Sequence, residues 1–164
     1  MEIIIRAYTS ADVEPAINIW NEVVREGIAF PQEDELDINT GDEFFKAQSF
    51  TGLAVDTDND EILALYILHP NNVGRCSHIS NASYAVRSNL RGRHIGELIV
   101  KDSINRAREL GFKILQFNAV VATNIHARHL YQRLGFKELG TIPQGFRMPD
   151  GSFEDIVPQF ISLT

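Results

Sequence analysis

The stretch Leu90-Arg-Gly-Arg-His-Ile-Gly96 (LRGRHIG) joins a segment that alternates like a strand to the strongest helical pattern in the chain. It places two arginines, two glycines and a histidine at a helix start, in a chain of formal net charge −7. Two physical explanations compete. A surface turn needs glycine for its backbone freedom alone. A cradle for a phosphate-bearing ligand needs glycine for close approach, and the helix N-terminus for its unpaired N–H groups and positive dipole end. An anion so placed gains about 0.3–1 kcal/mol, up to roughly 2 kcal/mol in a sheltered geometry. A dinucleotide fingerprint does not fit, because no Gly-x-Gly precedes the helix and the third glycine is missing.

Working outward, His94–Leu110 reads as a helix. Ile95, Leu98, Ile99, Ile104, Ala107 and Leu110 form its apolar stripe, and Gly111 is the stop. His78–Arg87 before it alternates as a strand, and Lys113–Val121 after it reads as another. Thr123 or Asn124 caps a further helix carrying Ala127, Leu130, Tyr131 and Leu134, which ends at Gly135. Upstream come a strand at Glu2–Ala7, a helix through about Arg25, and a short helix from Thr40 with Phe44 and Phe45. Thr51–Asp56 and Glu61–His69 then form a hairpin around Thr57-Asp-Asn-Asp60. Two last strands, about Phe136–Ile142 and Phe153–Ser162, flank the turn-rich PQGFRMPDG. The predicted order is β-α-α-β-β-β-α-β-α-β-β, a mixed α/β fold in a single domain spanning residues 1–164.

Composition bounds the function. With 44% hydrophobic and 23% charged residues, the chain has the make-up of a packed globular protein. The apolar run Ile62–Leu68 is too short for a bilayer span, and the first ten residues lack a secretory signal. The single cysteine, Cys76, forms no internal disulfide and reads as a small buried or strand-edge residue. These features predict a cytoplasmic protein with no membrane partner. The acidic excess argues against nucleic acid, although Arg87, Arg91, Arg93, Lys101, Arg106 and Arg108 gather near the loop. Of five histidines, His126 and His129 are three apart, but no cysteine or acid completes a ligand spacing. No metal is expected.

Arg91-Gly-Arg-His-Ile-Gly96 resembles the acetyl-CoA loop of the GCN5-related N-acetyltransferase (GNAT) family, Gln/Arg-x-x-Gly-x-Gly/Ala, with His94 in place of its first glycine. The segment NIHARHLYQRLGF is similar to that family's Asn-x-x-Ala-x-x-x-Tyr-x-x-x-Gly-Phe, through Asn124, Ala127, Tyr131, Gly135 and Phe136. The resemblance implies a mostly antiparallel mixed sheet with a splayed central strand pair, about four flanking helices, and acetyl-CoA as cosubstrate. It further implies that the backbone of Tyr84, Ala85 and Val86 pairs with the pantetheine arm. Amides of Arg91, Gly92, Arg93, His94, Ile95 and Gly96 would hold the pyrophosphate, with arginine side chains as support. Tyr131 would sit beside the thioester sulfur while an amine attacks directly. If the first glycine of the loop has positive φ, His94 is strained there, though histidine tolerates that region better than most residues.

The acceptor side is read more coarsely. Phosphinothricin-type acetyltransferases, which the EGIAF loop also resembles, carry a glutamate where this chain has Asn81, so a base role does not carry over. FNAVVATN, LYQRLGF and GFRMPDGSFEDI are similar to the azetidine-carboxylate acetyltransferases of yeasts, in which paired asparagines sit at the reacting centre. That resemblance implies catalytic roles for Asn118 and Asn124 and a substrate contact for Asn81. A side-chain amide can donate to a carboxylate or thioester oxygen and accept from an amine. Asn124 is also a natural N-cap. Phe30, in a loop, is a candidate pocket wall, and His78 a candidate base. The expected substrate is a small-molecule amine, an amino acid or analogue. Acetylation of a protein N-terminus or lysine, and a non-catalytic acyl-CoA sensor, are the alternatives. A homodimer through the C-terminal strand EDIVPQFISL is open, with Pro158 interrupting its ladder.

Overall fold

The computed structural model describes residues 1–164. Nine strands form: Ile3–Ala7 (β1), Phe50–Asp56 (β2), Glu61–Pro70 (β3), Ile79–Val86 (β4), Ile114–Phe117 (β5), Lys137–Glu138 (β6), Ile142–Arg147 (β7), Phe153–Ile156 (β8) and Gln159–Ser162 (β9). Four α-helices flank them: Val13–Glu26 (α1), Ile38–Ala47 (α2), Ile95–Glu109 (α3) and Ile125–Arg133 (α4). Seven strands make one sheet in the order β1-β2-β3-β4-β5-β9-β6, and β7 and β8 form a separate ribbon. All pairings are antiparallel except β4 with β5. The expected mixed sheet with four helices is therefore observed.

Local chemistry accounts for the boundaries. α1 stops at Gly27, whose positive φ of 67° lets its N–H reach the Val23 carbonyl while the chain turns away. α2 begins before Thr40, because Asp37 accepts from the Thr40 amide and Thr40 Oγ1 accepts from the Asp37 amide, a reciprocal cap. β2 and β3 are apolar almost throughout because both of their faces are covered. α1 and α2 lie over one face with Trp20, Phe30 and Phe45, and α3 over the other with Ile95, Ile99 and Ala107.

The α3 stripe differs from expectation. Its buried face runs through Ile95, Ile99, Val100, Ser103, Ile104 and Ala107, while Leu98 and Leu110 are 42% and 48% exposed. Ser103 tolerates burial because its hydroxyl bonds the Val100 carbonyl and the Tyr84 hydroxyl, each at 2.7 Å.

The C-terminal third departs most from the sequence reading. β5 ends at Phe117, not Val121, and Val121 makes only an isolated bridge to Ile156. The expected strand Phe136–Ile142 divides into two-residue β6 and, beyond Gly140 (φ 136°), β7. Pro143–Arg147, read as turn, belongs to β7. Phe153–Ser162 divides at Val157-Pro158, since proline has no N–H for a continuous ladder. β9 then lies between β5 and β6, so the C-terminal strand is interior and offers no edge for a dimer; the free edges are β1 and β6. Cys76 is exposed in the short turn between β3 and β4 rather than buried or at a strand edge. No helix is long and apolar enough to cross a membrane.

Candidate active site

The site grows from the separation of β4 and β5. Their parallel pairing covers only Ile79–Ile114 and Ser80–Leu115. At its two ends, β4 is tied to the β3 side by the Ile79 carbonyl, bonded to the Asn71 amide, and by the Arg87 amide, bonded to the Leu63 carbonyl. Backbone alternation therefore turns the polar groups of Ala82, Tyr84 and Val86 into the space that β5 vacates. Tyr84 and Val86 thus leave their backbone polar groups without a strand partner on that side. Ala85 departs from the expected extended contact, because its backbone faces β3 and its methyl is buried against α1 residues.

Beyond β4, Gly92 (φ 83°) and His94 (φ 63°) bend the loop into α3 through two left-handed positions. His94 is the N-cap residue and its side chain makes no capping bond, so the first amides of the helix keep their donors free. Arg91 does not point its charge freely into this space. Glu26, at the end of α1, binds its guanidinium through two contacts of 2.7 and 2.5 Å. The pairing holds the Glu26 carboxyl below the usual carboxylate range. Glu97 and Arg133, 2.7 Å apart, tie the first turn of α3 to the last turn of α4.

Two cavities open along this path. One of about 630 Å³ is lined by the loop, Val86, Leu130 and Arg133. A second, smaller one of about 250 Å³ lies beside it, against Phe30, His69, Asn81, Phe117, Asn118 and Tyr131. Both are lined by Tyr84, Val121, Asn124 and Ala127, so the two adjoin along these residues.

Tyr131 borders the smaller cavity. Its ring packs against Phe117 and Phe136, with centroids 4.6 and 5.6 Å away, and those two rings stack on each other at 4.6 Å. The other tyrosine hydroxyls are engaged: Tyr8 with Asp42, Tyr66 with Asp102 and Tyr84 with Ser103. Tyr131 lines the cleft and burial pushes its phenol up to about 12. It remains a neutral donor at physiological pH.

The asparagines divide by what their amides already do. Asn81 Nδ2 donates to the Gln116 carbonyl at 2.8 Å, a strut across the strands just beyond their last ladder pair. Asn118 is engaged at both ends, donating to Asn71 Oδ1 at 2.6 Å and accepting from Gln116 at 3.0 Å. Asn124 caps α4 by accepting from the Ala127 amide at 3.2 Å, its NH₂ makes no hydrogen bond within the chain, and the residue borders both cavities.

The acetyltransferase (GNAT) family model matches residues 16–136, covering the loop, α3 and α4. The chain belongs to the GNAT family. It is 30% identical over 143 residues to N-acetyltransferase aca1 of Schizosaccharomyces pombe, covering 78% of this chain and 68% of that protein. Among solved structures, it resembles a GCN5-related N-acetyltransferase from Kribbella flavida, at TM-score 0.88 and 30% identity over 98% of this chain and 97% of that one. A phosphinothricin acetyltransferase from Sinorhizobium meliloti, solved in complex with AcCoA, shares the fold at TM-score 0.90 and 17% identity, covering 99% and 89%.

Within this GNAT chain, Phe30, Asn81, Asn118, Asn124 and Tyr131 all line the smaller cavity. Phe30 also packs on Trp20, with centroids 4.4 Å apart, so it is both core and wall. His78 is exposed and lines neither cavity, which removes it as a base. Two residues escaped the sequence reading. Glu26 was invisible because its partner lies 65 residues away. His69 ended an apolar run, and only its register opposite Asn81 reveals that it borders the site.

Proposed function

We propose that this chain is an acetyl-CoA-dependent N-acetyltransferase acting on a small-molecule amine, an amino acid or analogue, by direct attack in a ternary complex. The observation that carries the reading is the pair of adjoining cavities, one bordered by uncapped helix amides and the other by the unengaged hydroxyl of Tyr131. Free amides at the start of α3 suit a pyrophosphate. The gap-facing backbone of Tyr84 and Val86 suits an extended, amide-bearing arm. Acetyl-CoA supplies an acetyl group already activated as a thioester.

Each residue then has a defined task. Arg91 holds the loop against α1 through Glu26 and leaves the phosphate contacts to main-chain amides of residues 91–96. The Asn124 NH₂ donates toward the acetyl carbonyl, where negative charge develops during attack. Asn118, held at both ends, fixes the wall of the acceptor space. Tyr131 donates to the sulfur as it acquires charge. A phenol near 12 against a thiol near 8.5 makes ground-state proton transfer uphill by roughly 5 kcal/mol, so Tyr131 acts as a donor and not as an acid.

The acceptor cavity is only about 250 Å³, is bordered by Phe30 and Phe117 and is lined mainly by apolar residues, which favours a small amine over a folded protein surface. Thiol release from acetyl-CoA, measured across a panel of primary and cyclic secondary amines and short peptides, tests the function. Release with small amines is expected. Absence of release with every amine, despite coenzyme A binding, would overturn it in favour of a sensor.

A further inference from the structure

We propose that His69 is the general base of this site, taking the proton of the attacking amine on Nε2; the assignment rests on the acetyltransferase reading above. The smaller cavity contains no Asp, Glu, Lys or Arg among its lining residues, and besides His69 its titratable groups are Tyr84 and Tyr131. Neither can serve. The Tyr84 hydroxyl is tied to Ser103, and burial keeps both phenols protonated far above neutral pH. His69 is the one remaining titratable side chain in the lining, and its imidazole offers a nitrogen lone pair.

Its geometry fits the task. His69 is half-buried near the end of β3, directly opposite Asn81 in the ladder, and residues opposed in this way share a face about 4.5–5.5 Å apart at Cβ. That face also holds Leu65, Ile67 and Ala85, and it looks toward Phe30 beneath α1. Nδ1 lies 2.9 Å from the Pro70 carbonyl. A carbonyl only accepts, so Nδ1 carries the hydrogen and Nε2 carries the free lone pair. The ring is thereby oriented and its tautomer fixed by its own backbone.

The step balances without another reagent. The amine nitrogen attacks the thioester carbonyl carbon, the N–C bond forms, and the nitrogen's proton passes to Nε2. On collapse the C–S bond breaks, sulfur keeps the electron pair while Tyr131 donates to it, and the imidazolium returns its proton to solvent. With no carboxylate present to hold an ammonium ion, desolvation in the cavity favours the neutral amine. The site therefore suits amines that are already weakly basic, or that lose their proton on entry.

The test compares wild type with His69→Gln and His69→Asn, the second retaining a donor toward Pro70. The expected result is a fall in kcat of about 100-fold in both variants, with acetyl-CoA affinity within threefold. The acidic limb of the wild-type pH profile should disappear in both variants, and His69→Glu should restore part of the rate. In the dead-end complex with coenzyme A and amine, the ¹⁵N resonance of Nε2 should shift and that of Nδ1 should not. Variants that keep the wild-type rate and acidic limb would overturn the base while leaving the acetyltransferase standing. A wild type that releases no thiol with any amine overturns both.

Discussion

Single residues carry the chemistry here through what their neighbours leave undone. Tyr131 is available to the cleft because Phe117 and Phe136 hold its ring and nothing holds its hydroxyl. Removing that hydroxyl should cost the hydrogen bond to developing thiolate and little else. Tyr131→Phe is expected to lower kcat by about 10- to 100-fold while acetyl-CoA affinity stays within threefold; steady-state kinetics beside calorimetric titration check this. Since the phenol titrates near 12, no alkaline limb below pH 11 should belong to it. His94 holds a left-handed conformation at φ 63° without a capping bond, a strain of about 1 kcal/mol for a residue with a Cβ. Thermal melts should place His94→Gly a few degrees above wild type and the β-branched His94→Val below it. A glycine variant that melts lower would show that the imidazole itself packs.

At the scale of elements, the site is a wedge held open by joints. β4 and β5 meet at two ladder positions, and Asn81 reaches the Gln116 carbonyl where the ladder stops. The loop before α3 is fastened to the end of α1 by Glu26 and Arg91. Both side chains are part-exposed, so the pair contributes no more than about 1 kcal/mol to stability. Its importance is positional. Glu26→Gln should leave the melting temperature within a few degrees and weaken acetyl-CoA binding by about three- to tenfold, measured by titration. The Glu26 carboxyl is held below the usual range, so the clamp persists at neutral pH and is lost only as pH falls through that lowered value. Affinity unchanged in the variant would mean that the loop keeps its shape without the joint.

Taken whole, the molecule buries tyrosines in a way that fixes its alkaline limit. Tyr66, Tyr84 and Tyr131 are all raised above the ordinary phenol value, with burial as the first cause in each. Above pH 10 the unfolded chain gives up these protons while the folded chain keeps them, so stability present below pH 10 drains away as pH rises. Each such tyrosine removes about 1.4 kcal/mol per pH unit until its folded value is reached. Urea unfolding midpoints should hold between pH 7 and 9 and drop sharply by pH 11, with tyrosinate absorbance rising together with loss of secondary structure. Tyrosinate formation in a still-folded protein would contradict the burial.

The sequence by itself determined the parts that depend on neighbours within a few turns. The period of Val13–Val24, the Thr57–Asp60 turn, the glycine stops and the Asn124 cap each act locally, and the loop and α4 segments were legible by resemblance. What it left open depends on partners far along the chain. Leu98 and Leu110 fit the stripe in one dimension, yet the sheet beneath α3 covers only the row through Ile99 and Ser103. The C-terminal segment reads as two plain strands, because nothing local announces that β7 and β8 leave the sheet or that β9 enters its interior. His69 became visible only through its pairing with Asn81. Short-range hydrogen bonding and side-chain period are written into consecutive residues, whereas strand register, burial and the vacated side of β4 are fixed only when distant segments pack.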